Sequence, residues 1–231
     1  GGLSFGTTSV GGALSATSGN GAITQTGALT VTGASALNAG TGDITLNNAT
    51  NNFVGAVSSS GANASLTDGT GGLVLGATSA TGTLSVTSTD GAITQVTPYT
   101  SGNAITTGGA ASFTATSGAN AADITLANPD NSFGGAVALS GKDVSIIDKT
   151  ALTLGAVTTT GNLNATGTGG LSFGTTSVGG ALSATSGNGA ITQTGALTVT
   201  GTSALNAGTG DITLNHATNN FAGAVSSSGA N

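Results

Sequence analysis

The chain has 231 residues and a net charge of −6, and only 4% of it is charged: eight Asp, two Lys, no Glu and no Arg. Soluble domains usually carry about 25% charged residues. Nucleic-acid binding and electrostatic docking on anionic membranes are excluded, because both need clustered Lys and Arg. No Cys is present, which excludes disulfides and thiolate metal sites, and no apolar run approaches the roughly 18 residues of a membrane span. Gly is frequent at 42 residues, but it has no three-residue period and only two Pro accompany it, so collagen is excluded. The abundance of Thr, Val and Ile without charge argues against disorder.

The predicted elements are short strands punctuated by Gly turns. Leu3-Ser4-Phe5-Gly6 opens the chain, and Leu14-Ser15-Ala16-Thr17, Ala22-Ile23-Thr24-Gln25 and Leu29-Thr30-Val31-Thr32 follow. The pattern apolar, small polar, apolar then begins at Leu14, Leu37, Ala64, Leu84, Phe113, Val144 and Leu163 before Leu182 restarts it. Its spacing varies from 19 to 31 residues, and seven units fill 168 residues. Period-2 alternation places Leu, Val, Ile, Phe and Ala on one face, and Thr, Ser, Asn and Asp on the other. Three short strands per unit of about 24 residues predict an all-β fold, a parallel β-solenoid of about ten coils and 45–50 Å. An antiparallel sandwich needs no such regularity.

A longer period overlies the short one. Residues 1–63 return as residues 169–231 with three differences: Ala34 against Thr202, Asn48 against His216 and Val54 against Ala222. The whole of 1–231 therefore reads as one continuous solenoid segment, with 1–168 a full super-repeat, 169–231 the start of the next, and a longer array beyond. Seven coils per super-repeat would bring any surface feature back about every 34 Å. The phrase Asn51-Asn52-Phe53 also echoes as Asn131-Ser132-Phe133, and its Phe is expected to plug the core at a corner.

Asp43-Ile44-Thr45-Leu46-Asn47-Asn48, Asn51 to Val57, Gly21 to Gly27 and Ala151 to Val157 resemble the repeat region of filamentous-haemagglutinin-like large exoproteins of Gram-negative bacteria. The resemblance covers the whole chain. It implies a right-handed parallel β-helix, exported by two-partner secretion and displayed at the cell surface as a filament for adhesion, aggregation or biofilm formation. The expected partners are neighbouring repeats, other copies of the fibre, and a cell-surface or glycan ligand. A self-assembling sheath without a host ligand is the alternative, and an ice-binding solenoid a lesser one.

No catalytic, cofactor-binding or metal site is expected. His216 stands where the sister repeat has Asn48, so it reads as a turn residue rather than a base. Asp43, Asp68, Asp90, Asp123, Asp130, Asp143, Asp148 and Asp211 lack the Arg that carboxylate chemistry usually enlists, and a non-enzyme is expected. Calcium is the one cofactor to weigh, since Asp and turn carbonyls are hard oxygen ligands, but the Gly-Gly-x-Gly-x-Asp nonapeptide series is missing. Lys142, Asp143, Asp148 and Lys149 form the single charged patch and read as a solvated loop. Thr30, Thr32, Thr114 and Thr116 begin outward Thr ranks of the ice-binding type, but Ser, Asn and Gly interrupt them. Asn48, Asn63 and Asn164 sit in glycosylation sequons of chance type. Gln25 and Gln95 fall on the apolar phase, as amide ladders or corner residues.

Overall fold

In a computed structural model, which describes residues 1–230, the chain winds as a parallel β-solenoid of about eleven coils with three strands per coil. Asn231, the last position of the long repeat, lies outside the described residues. The first face runs through Leu3–Phe5, Ile23–Gln25, Ile44–Leu46, Ala64–Asp68, Leu84–Ser88, Ala111–Ser117 and Val137–Gly141. The second begins with Thr8–Val10, Leu29–Val31 and Asn52–Phe53, and the third with Leu14–Thr17, Ser35–Asn38 and Val57–Gly61. Registers are in step: Leu3 lies against Ile23, Ile23 against Ile44 and Ile44 against Ala64. Among the described residues antiparallel pairing is confined to a small hairpin, in which Thr116 pairs with Ala121 and Ser117 with Asn120, and an isolated bridge between Asp90 and Ser117.

Alternation explains the core. Strands such as Leu29–Val31 and Leu84–Ser88 bury every second residue. The interior is a single column of stacked Leu, Ile, Val and Ala. Phe53, Phe113 and Phe133 are buried in it, and the Phe113 and Phe133 rings meet edge to face at 6.1 Å. Burying such stacks from coil to coil, with backbone hydrogen bonds along the axis, is what lets so polar a composition fold.

The coil is shorter than the spacing of the sequence motif implies: most partner offsets are 19 to 22 residues rather than about 24, and the longer ones, 26 to 31, are confined to the coils with long turns between residues 78 and 140. The reason is that the motif changes face. Leu14 and Leu37 lie on the third face, Ala64, Leu84 and Phe113 on the first, and Val144 and Leu163 on the second. Two continuous strands make the face changes visible. Leu73–Ala80 pairs with Ile93–Gln95 by its first half and with Ile105–Thr107 by its second. Ala151–Thr159 likewise divides between Gly170–Phe173 and Thr176–Val178.

Each change adds a third of a turn. Leu3–Phe5 starts the first coil on the first face, whereas its copy within Gly170–Phe173 occupies the third face of the eighth coil. The super-repeat therefore spans seven and two-thirds coils, not seven. At about 4.8 Å per coil it advances about 37 Å while turning its surface by a third of a revolution from alignment. The Asn-x-Phe corner accordingly visits all three faces: Phe53 on the second, Phe133 on the third and Phe221 on the first.

Spin labels at Val54→Cys and Ala222→Cys, both exposed equivalents of one position, measure this stagger. Twenty residues at about 3.3 Å make a perimeter of about 66 Å, hence a radius of about 10 Å and a third-turn chord of about 18 Å. A backbone separation of about 41 Å is expected by dipolar spectroscopy, against about 34 Å for seven aligned coils.

Candidate binding surface

The corners carry most of the side-chain hydrogen bonding. Asn131 is fully buried, yet it is saturated. Its Oδ1 accepts the Ile105 N–H and Gln95 Nε2 at 2.9 Å each, while its Nδ2 donates to Gln95 Oε1 at 3.0 Å and Leu126 O at 3.1 Å. Gln95 Oε1 also accepts the Asn128 N–H at 3.2 Å. The same clamp joins Asn51 to Gln25 and Asn219 to Gln193. Gln25 and Gln95 are thus corner residues, and their partner is the first Asn of Asn-x-Phe. Pairing between the two phrases was not legible in the sequence, because they lie 26 or 36 residues apart.

Exposed corners use a second device. Asn48 Oδ1 accepts the Thr50 N–H at 2.9 Å, closing an Asx turn. His216 substitutes its Nδ1, which takes the Thr218 N–H at 3.3 Å, so the only histidine is a turn acceptor on an exposed corner. Carboxylates and amides also bridge coils. Asp43 Oδ1 accepts the Asn63 N–H, and Asn63 Oδ1 the Thr83 N–H. One-third of a turn away, Asp123, Asp143 and Asn162 repeat the ladder onto Asp143, Asn162 and Ala181. Lys142 Nζ sits 3.4 Å from Asp143 and 3.9 Å from Asp123, an exposed arrangement worth little to stability. The Asn162 N–H bond, reinforced by Lys142, holds Asp143 below the usual carboxylate range.

Asp68 and Asp148 are buried acids at matching corners. Asp148 uses both oxygens, Oδ2 on the Phe133 N–H and Oδ1 on the Thr150 N–H and hydroxyl. Asp68 Oδ1 takes the Phe53 N–H at 2.8 Å, but its Oδ2 has no donor in full hydrogen-bond geometry. Burial raises Asp68 from 3.8 to about 6, helped by the Asp90 charge and opposed by nearby backbone N–H groups. The folded state therefore binds the proton more tightly than the unfolded chain. Between pH 3.8 and about 6 stability falls as pH rises. Held across that range, this preference for the protonated carboxyl is worth about 3 kcal/mol. Denaturant titrations from pH 4 to 7 should show this loss in the parent and little of it in Asp68→Asn. Among the described residues no group of three or more His, Cys, Asp or Glu is gathered as a metal site.

A groove of about 540 Å³ runs across the third face of the first five coils. Its floor is the outward rank of Ser15, Thr17, Ala36, Asn38, Ser58 and Ser60, and its wall is the segment before Ile105, with a 3₁₀ turn at Ser101–Asn103. That wall exists because the turn between Ile93–Gln95 and Ile105–Thr107 is long. The corresponding residues of the second copy, Ser183, Thr185, Ala204, Asn206, Ser226 and Ser228, line a smaller groove of about 370 Å³ on the second face. The outward ranks are mixed, as Thr24, Thr45, Ser65, Ser85, Ser112 and Ala138 on the first face illustrate, so no regular Thr lattice forms.

No curated protein and no solved structure matches the chain. A family described as repeats of unknown function (DUF5649) matches it over residues 1–60, 61–140, 141–172 and 166–228. The second match coincides with the 80-residue echo that carries Phe53 onto Phe133 by three and one-third coils. These matches span nearly the entire solenoid, and the chain belongs to the DUF5649 repeat family.

Proposed function

We propose that the chain is a non-catalytic, load-bearing segment of an extracellular bacterial surface filament, serving adhesion, aggregation or biofilm formation. The observation that supports this reading most is the axial ladder: sheets of 14 and 13 strands, paired in parallel from coil to coil, run from Leu3–Phe5 to Asn220–Phe221 and from Leu14–Thr17 to Val225–Ser228. Pulling along that axis loads hydrogen bonds and apolar stacks of every coil together. The surface is nearly uncharged, and its two Lys, the only trypsin sites, flank one strand, Val144–Asp148. A stalk exposed to proteases and variable salt benefits from both properties. No helix among the described residues is long and apolar enough to cross a membrane. The resemblance to haemagglutinin-like exoproteins supplies the secretion route and the bacterial surface as part of this proposal.

Antibodies raised against the purified segment test it. They should decorate intact producing cells with immunogold, and external proteinase K should remove the epitope. Signal confined to the cytoplasm would sink the reading. A sheath without a host ligand would show the same labelling but no loss of host-surface attachment when the encoding gene is deleted.

A further inference from the structure

We propose that the walled groove on the third face is a binding site for a neutral oligosaccharide, present once per super-repeat and carried a third of a turn round the fibre at each recurrence. It extends the filament reading without depending on it. Four observations converge on this ligand class.

The first is charge. No ionisable side chain lines the groove. An anionic or cationic polymer would find no counter-charge there, and would lose hydration without compensation. The second is the kind of polar group. The hydroxyls of Ser15, Thr17, Ser60, Ser79 and Thr106 are exposed or outward-facing, and each can donate and accept, as sugar hydroxyls require. Coils set them about 4.8 Å apart across the groove, and alternate residues set them about 6.6 Å apart along each strand. Ala36, Ala77 and Ala104 lie among them and offer methyl surface to the C–H faces of pyranose rings.

The third is preorganisation. Asn38 Oδ1 accepts the Gly40 N–H at 2.9 Å, and Gly40 adopts φ +58 to deliver it. This fixes the amide plane and leaves Nδ2 as an oriented donor at the groove floor. The second copy reproduces the arrangement, with Asn206 Oδ1 on the Gly208 N–H at 3.0 Å and Gly208 at φ +56. The fourth is recurrence with the rotation already described. The two grooves have matching floors on different faces, so a long array would present sites on all sides. Multivalent capture of a glycan-bearing surface would then not depend on how the fibre rolls.

Isothermal titration of the intact chain with maltohexaose, cellohexaose, chitohexaose and a β-1,4-galactan hexamer, with a hyaluronan hexasaccharide as acidic control, provides the test. At least one neutral probe should bind and the acidic one should not. Asn38→Ala should weaken binding by about tenfold, the scale of one well-oriented hydrogen bond to a ligand. Ala36→Glu, on the exposed floor, should abolish it. Asn206→Ala should change it little, because residues 169–231 repeat the floor of the groove but not the 101–106 segment that walls it. Circular dichroism should be unchanged in all three variants, and melting temperature should fall by no more than a few degrees where the Asn38 or Asn206 turn bond is lost. Failure of every neutral probe to bind, equal binding of the acidic probe, or full affinity in both floor variants would overturn the proposal. None of these results would bear on cell-surface labelling, which tests the filament reading separately.

Discussion

Asn131→Leu should destabilise the solenoid by about 4 kcal/mol, although it replaces a polar core residue with an apolar one of similar size. The substitution strands the Ile105 N–H, takes a donor from the Leu126 carbonyl, and leaves the Gln95 amide with only the Asn128 N–H at 3.2 Å and the long bond to the Asn103 carbonyl at 3.4 Å. All of these lie inside, and each buried unsatisfied group costs about 1–3 kcal/mol. For a chain this long 1 kcal/mol moves the melting temperature by about 2–4 °C, so a fall of about 8–16 °C is expected in a thermal melt. Gln95→Leu in the same chain supplies the control. It removes the orphaned amide, and the double variant should therefore be less destabilised than the two single changes combined. Strict additivity would mean that the two amides do not act as a pair. The clamp matters because Asn131 ties its own coil to the Gln95 coil just where the turn before Ile105 is long. It holds the wall of the groove to the rod.

Much of this architecture was readable in the residues, and what was missed has a physical reason. Alternation in Leu84-Ser85-Val86-Thr87 specifies a half-buried strand whichever coil it joins. The near-verbatim return of residues 1–63 specifies stacking. The coil length was harder, because a motif recurs in sequence without declaring which face it occupies. Leu37 and Ala64 look like consecutive copies, yet four strand positions separate them rather than three. That single extra position turns seven coils into seven and two-thirds once it happens twice. The sequence also identified the corner residues singly. Phe53 was expected at a corner and Gln25 either at a corner or in an amide ladder, but the Gln–Asn clamp is made between coils and follows from register alone. Asp68 read as a turn residue and Asp148 as part of a solvated charged loop, but both are fully buried, because each carboxylate caps the N–H of a corner Phe in the neighbouring coil. Only the backbone around them shows one saturated and the other half-satisfied. The groove was invisible for the same reason: its floor residues are scattered among three coils, Ala77 and Ser79 join them from a fourth, and its wall comes from a fifth.

Gly135→Val should destabilise the chain by about 3 kcal/mol or more, in the upper range of overpacking changes, and it explains the composition that opens the sequence. Gly82, Gly109 and Gly135 form a corner column in which each backbone rests on the one before, as the Gly109 N–H to Gly82 O bond of 2.8 Å shows. A Cβ at Gly135 would lie 2.6 Å from the Gly109 carbonyl carbon and 2.7 Å from its oxygen. These are backbone atoms that cannot swing aside, so the coils must separate locally beyond the spacing of about 4.8 Å that the ladder needs. Gly155→Val is the matched control. A Cβ there meets nothing nearer than the Val137 carbonyl oxygen at 3.6 Å and the backbone is not left-handed, so its melting temperature should move by no more than a few degrees. Equal effects of the two substitutions would show that glycine acts here through chain entropy alone. The column has a consequence for the rod. Because a β-carbon at such a corner would force the coils apart, these glycines fix the pitch on one side, while the apolar stacks fix it inside and the Asx ladders fix it at the remaining corners. With pitch set on every side, bending the rod must strain several columns at once. That is the mechanical property the proposed surface stalk requires, and it is obtained from small neutral residues without disulfides.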